Sequence, residues 1–66
     1  MGKPAFRIKG GGQLYLAATQ NSAIDRAHIM TATYECRFWV LKESVGVIYI
    51  AFPADWKRYN YSKKAV

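Results

Sequence analysis

A single cysteine, a single histidine, two prolines and four acidic side chains are all that this 66-residue chain holds of these types, and each scarcity removes a class of protein. Cys36 has no second cysteine for an internal disulfide or a zinc-ligand spacing. It reads as a small apolar core residue in a reducing compartment, with a reactive thiol as the lesser alternative. His28 has no neighbouring ligands, and the serines have no base paired with them, so metal, cofactor and nucleophile constellations are scarcely available. The longest apolar run, residues 45–54, is about half of what a helix needs to cross a bilayer, and the first residues lack the apolar centre of a signal peptide. The expectation is a soluble cytoplasmic protein of the host cell, with no cofactor and no membrane association.

What the sequence does hold is positive charge. Ten Lys and Arg give a formal net charge of +6 and an isoelectric point near 9.8. Such an excess draws a protein toward nucleic acid, a nucleoprotein or an acidic protein surface, although solubility alone is the plainer reading. The chain is one domain, residues 1–66, and a domain this small buries only about 60% of its unfolded surface. A partner would add stability, and a homodimer stays open.

Residues 34–52 carry the most apolar surface. Two runs rich in aromatic and β-branched side chains flank a polar segment that ends at Gly46, the pattern of a β-hairpin. Alternation places Cys36, Phe38 and Val40 on a core face with Ile48, Ile50 and Phe52, and Arg37 and Trp39 on the other face with Val47 and Tyr49. Upstream, residues 5–9 alternate as a strand with Phe6 and Ile8 inward and Arg7 and Lys9 outward. Gly10, Gly11 and Gly12 supply a hairpin turn, and residues 13–18 form the second strand. The glycines lack the Gly-Lys-Ser/Thr ending of a phosphate loop. Asn21 or Ser22 caps a helix over residues 23–30 that turns Ala23, Ile24, Ala27, Met30 and Thr31 toward the sheet, with Asp25 and Ile29 pointing away between Arg26 and His28. After Pro53, residues 56–61 mix aromatic and basic side chains and return as an edge strand, with a helix as the competing assignment. Residues 1–4 and 62–66 are expected to be frayed ends.

The resulting fold class is α+β, an antiparallel sheet of four to five strands in the order β-β-α-β-β-β, covered on one face by a single short helix. On these face assignments the uncovered face carries Arg7, Lys9, Tyr15, Arg37, Trp39 and Tyr49, with Lys57 and Arg58 at its margin. Rings interleaved with cations suit a single-strand stacking platform or a protein-binding surface. Simple covering of the sheet, or a dimer contact, explains Trp39 and Tyr49 equally well.

The element order, the stretch from Gly46 to Ala51, Arg26 in the helix, and the group Asp55, Lys57, Arg58 and Tyr59 resemble a set of very small phage anti-CRISPR proteins that bind the type I Cascade surveillance complex. The resemblance implies an inhibitor whose basic residues occupy the Cascade surface where target DNA or guide RNA is engaged. It would give Arg26, Lys57 and Arg58 contact roles. Asp25 departs from the family, standing where its helix would place a second cation.

Two functions follow. One is a basic interaction protein that docks on a bacterial nucleoprotein complex such as Cascade and interferes with its engagement of nucleic acid. The alternative is a free-standing nucleic-acid-binding module using the open sheet face. An enzyme is not expected. A small ribonuclease built on Arg58, Tyr59 and Tyr61 is the residual catalytic reading.

Overall fold

The computed structural model describes residues 5–64, with residues 62–64 described by backbone alone. Alternating apolar and charged residues form β1 (Phe6–Gly10), which turns into β2 (Gln13–Ala17). There follow α1 (Gln20–Tyr34), β3 (Phe38–Lys42), β4 (Gly46–Ala51), a 3-10 turn (Pro53–Asp55) and α2 (Trp56–Lys64). The strands lie in the order β2-β1-β3-β4, every neighbouring pair antiparallel, so the fold is α+β around one four-stranded sheet. No helix among the described residues is long and apolar enough to cross a membrane. Of the ends expected to be frayed, residues 1–4 and 65–66 lie outside the described residues, whereas residues 62–64 continue α2 as hydrogen-bonded helix.

The glycine turn is one residue shorter than the run of glycines suggests. Only Gly11 (φ 53) and Gly12 (φ 74) form it, with the paired positive φ of a type I′ turn, while Gly10 ends β1 opposite Gln13. Gly10 lacks a side chain for another reason. A Cβ there would lie 2.6 Å from the Arg37 carbonyl oxygen and 2.7 Å from Cγ of Phe38, so the bare backbone is what lets Phe38 pack beneath the hairpin. A one-residue change in register exchanges the faces of a strand. Tyr15 and Ala17 therefore face α1, and Leu14 and Leu16 face away, which corrects the placement of Tyr15 on the uncovered face.

β4 is corrected by a similar count. Val40 pairs with Tyr49 but Leu41 pairs with Val47, so Ile48 is an extra residue in a β-bulge. The alternation resumes in the opposite phase beyond it. Tyr49 and Ala51 then share the covered face with Phe38 and Val40, whereas Ile50, expected in the core, is 38% exposed and Phe52 is exposed as well.

The core lies between the sheet and α1. Phe6, Ile8, Phe38 and Val40 come from the strands, and Ala23, Ala27 and Thr31 from the helix, all buried. The alanines let α1 approach the sheet closely, and Cys36 packs partly buried at the edge of this cluster, as an apolar residue would. α1 is longer at both ends than residues 23–30. Thr19, not Asn21 or Ser22, is its N-cap, its hydroxyl accepting from the Ser22 N–H at 3.2 Å. Glu35 ends it in the left-handed region (φ 55), donating its N–H to the Thr31 carbonyl at 2.8 Å.

Residues 56–64 form a helix and not a fifth strand. Pro53 opens the 3-10 turn, which redirects the chain from β4 onto α1. Trp56, Tyr59 and Asn60 are the partly buried positions of α2, a spacing of three and four that belongs to a helix face, while Lys57, Arg58 and Tyr61 are exposed. α1 thus covers the sheet on one side and α2 packs against α1 and the 3-10 turn, which places Lys57 and Arg58 on α2 and not at the margin of the open face.

Candidate functional site

The register of the strands arranges the open face in rows. Leu16, Arg7, Leu41 and Val47 cross the sheet in one row, and Leu14, Lys9, Trp39 and Ile50 in the next. Leu14, Leu16 and Val47 are 56%, 55% and 52% exposed, and no helix among the described residues covers them. Arg37 and Phe52 extend the surface at the β3–β4 end. The Arg37 guanidinium carbon is 6.0 Å from the Trp39 ring centre and 5.8 Å from that of Phe52, which holds a cation between two rings at the outer range of a cation–π contact. Lys9, Leu14, Trp39, Leu41 and Val47 line a shallow depression of about 650 Å³ beside the glycine turn.

The face is predominantly basic. Of the four side-chain carboxylates, Asp25 is on α1, Glu35 caps α1, Glu43 is in the β3–β4 turn and Asp55 is in the 3-10 turn. None stands in the strand rows with Arg7 and Lys9, and Glu43 comes nearest, lining a depression with Arg7 and Leu41 at the rim of the face. Large exposed apolar groups with cations embedded among them are features of surfaces that meet another macromolecule.

The residues expected to form the site separate into two groups. Arg7, Lys9, Arg37 and Trp39 come together on the open face. Tyr15 and Tyr49 face α1, where the Tyr15 hydroxyl is 3.0 Å from that of Tyr34, a hydrogen bond that raises the Tyr15 pKa. Arg26 is exposed on α1, and Lys57 and Arg58 on α2. Leu14, Leu16, Leu41, Ile50 and Phe52 belong to the face and were not anticipated there. One signal was available for β2. Residues paired across strands share a face, so an outward Lys9 brings Leu14 with it once the turn is read as two glycines.

On the covered side, His28 joins three elements. Expected on the helix flank, it is only 2% exposed. Its Nε2 lies 2.7 Å from the Tyr49 hydroxyl, and its ring stacks on Tyr59 at 4.0 Å with a 12° interplanar angle. Burial pushes the His28 pKa down, partly opposed by the charges of Asp55 and Asp25. The Tyr59 hydroxyl donates to Asp25 at 3.0 Å, and burial, followed by that hydrogen bond, pushes its pKa up to about 12. These contacts fasten α2 to α1. Among the described residues no group of His, Cys, Asp and Glu is placed to hold a metal ion.

No protein-family model matches the chain, and no curated protein and no solved structure matches it significantly.

Proposed function

We propose that this chain is a non-enzymatic interaction protein that docks its open sheet face on an acidic, partly apolar protein surface and obstructs what that surface does. The protein component of a nucleoprotein complex is the partner class, as the resemblance to anti-CRISPR inhibitors of Cascade suggests. The observation that carries the reading is the composition of the face: five exposed or half-buried aliphatic side chains around Trp39, with Arg7, Lys9 and Arg37 against a single rim carboxylate, Glu43.

A single-strand platform stacks bases on several ring faces. Here Tyr15 and Tyr49 are turned to the helix, and the exposed rows are mostly aliphatic, which favours side chains as the docking groups. The buried state of His28, stacked under Tyr59 and bonded to Tyr49, favours a structural role for the one residue best suited to acid–base chemistry.

The test is affinity capture from bacterial lysate, with and without nuclease, followed by titration of variants against the captured protein. Trp39→Ala, and the pair Arg7→Glu with Lys9→Glu, are expected to weaken binding at least tenfold, since an anchor at an interface centre contributes about 2 kcal/mol and 1.4 kcal/mol is about a decade. Lys57→Glu with Arg58→Glu is expected to bind normally. Capture that disappears with nuclease, together with a steep salt dependence on naked oligonucleotide, would overturn the reading in favour of nucleic acid.

A further inference from the structure

The two edges of the sheet are built differently. β4 carries the bulge at Ile48, which breaks the regular spacing of its backbone groups. β2 has no such interruption. Its five residues, Gln-Leu-Tyr-Leu-Ala, contain no charge and no proline, pair in unbroken register with β1, and have no strand on their other side among the described residues.

The turn decides which backbone groups of β2 point outward. In a two-residue hairpin the residues flanking the turn exchange both main-chain hydrogen bonds, and such pairs then alternate along the ladder. Gly10–Gln13, Ile8–Tyr15 and Phe6–Ala17 are accordingly the hydrogen-bonded pairs. The N–H and C=O groups of Leu14 and Leu16 point away from β1 along the free edge.

We infer that β2 pairs with β2 of a second copy of this chain, antiparallel about a two-fold axis at Tyr15, to give one continuous eight-stranded sheet. The edge complements itself under that operation. Leu14 falls opposite Leu16 of the second copy, and both are residues with outward N–H and C=O groups, so each such pair exchanges both main-chain bonds. Their side chains, more than half exposed in the single chain, meet across the seam on the open face.

Charge selects this arrangement over stacking of two open faces. Face-to-face packing would place Arg7, Lys9 and Arg37 against their own copies across about 10 Å of desolvated interface. Edge pairing instead separates the β1 cations of the two copies by three strand spacings, about 14 Å, beyond the screening length of about 8 Å in physiological salt. It leaves the open face uncovered and doubles its extent, so it holds whatever that face binds.

Sedimentation equilibrium on the full chain, with amide hydrogen exchange on the same samples, tests the pairing. The wild type is expected to pass from 7.5 kDa to twice that mass as concentration rises, with protection of the Leu14 and Leu16 amides appearing in step. Leu16→Lys and, separately, Leu16→Pro should weaken association at least tenfold. Proline removes only an N–H that faces solvent in the monomer, and circular dichroism verifies the fold. Val47→Lys, on the same face but at the opposite side of the sheet, should associate as the wild type does. A wild type that stays monomeric at millimolar concentration overturns the proposal. So does a dimer in which the Leu14 and Leu16 amides exchange freely, or one abolished by Val47→Lys and kept by Leu16→Pro. The exchange measurement needs no variant to fold.

Discussion

Replacing Gly10 with alanine tests the register on which the composition of the open face depends. The added Cβ would meet the Arg37 carbonyl oxygen at 2.6 Å and Phe38 Cγ at 2.7 Å, where comfortable contact begins at about 3.5 Å. Neither neighbour yields readily. The carbonyl is backbone, and Phe38 is fully buried within a core that includes Ile8 and Val40. Overpacking a close-packed core costs about 1–3 kcal/mol, and removing a glycine from the unfolded chain returns about 0.4–1 kcal/mol at most. A net loss of a little over about 1 kcal/mol is expected. A domain of this length has about 3–10 kcal/mol in total, and 1 kcal/mol moves the midpoint of a small domain by about 4–8 °C, so melting should fall by about 5–10 °C. Thermal circular dichroism and urea titration measure it. Gly12→Asn is the control: its φ is +74 with open space around a Cβ, and asparagine adopts that conformation, so a change within about 0.5 kcal/mol is expected. If Gly10→Ala melts with the wild type and Gly12→Asn does not tolerate the change, Gly10 belongs to the turn and the two faces of β2 are exchanged.

Phe38→Ala should cost about 3–5 kcal/mol, enough to unfold much of the population, whereas Ile50→Ala should cost less than about 1 kcal/mol; equal losses in urea titration would refute the phase change at the bulge. Because burial lowers the folded-state pKa of His28, the unfolded chain binds the proton more readily. Stability from this residue is therefore full above about pH 6.5 and is lost as pH falls toward the folded value. His28→Gln should be less stable at neutral pH but lose less on passing from about pH 7 to pH 5 than the wild type, and an equal loss would assign the acid sensitivity to other groups. Tyr59→Phe keeps the stack on His28 and deletes the bond to Asp25, so a loss of about 1 kcal/mol is expected, with disappearance of the phenol that ionises near pH 12 in an ultraviolet titration.

Legibility in the sequence followed the contrast between neighbouring residues. Phe6 and Ile8 alternate with Arg7 and Lys9, and both their strand and their inward direction were readable. From Val47 to Phe52 every residue is apolar, so alternation identifies a strand without stating its phase, and the extra residue at Ile48 reverses that phase midway. In the glycine run, three residues with the same propensity hid two duties, a positive φ at Gly11 and Gly12 and a close approach at Gly10. His28 was misplaced because its polarity is matched by a tyrosine hydroxyl on another strand, a long-range pairing that local pattern does not contain. The segment from Trp56 holds aromatic residues compatible with either period, and contact with α1 decides for the helix. On the candidate face, Arg7, Lys9, Arg37 and Trp39 were legible because each interrupts an inward set. The leucines and isoleucine around them were not, because an apolar residue looks like core until its register is known.

The bulge at Ile48 would also limit how far the proposed association runs. Joining two copies through β2 leaves a β4 strand at each outer end of the eight-stranded sheet. If those ends were as regular as β2, each pair would present two further sites, and addition would continue copy after copy into a filament. One unpaired residue in β4 interrupts the backbone spacing that a further strand would need, so growth of the proposed pair would close at two. The same irregularity that turns Ile50 outward would then set the stoichiometry of the particle, making the difference between a finite assembly and an open-ended polymer a matter of a single extra residue.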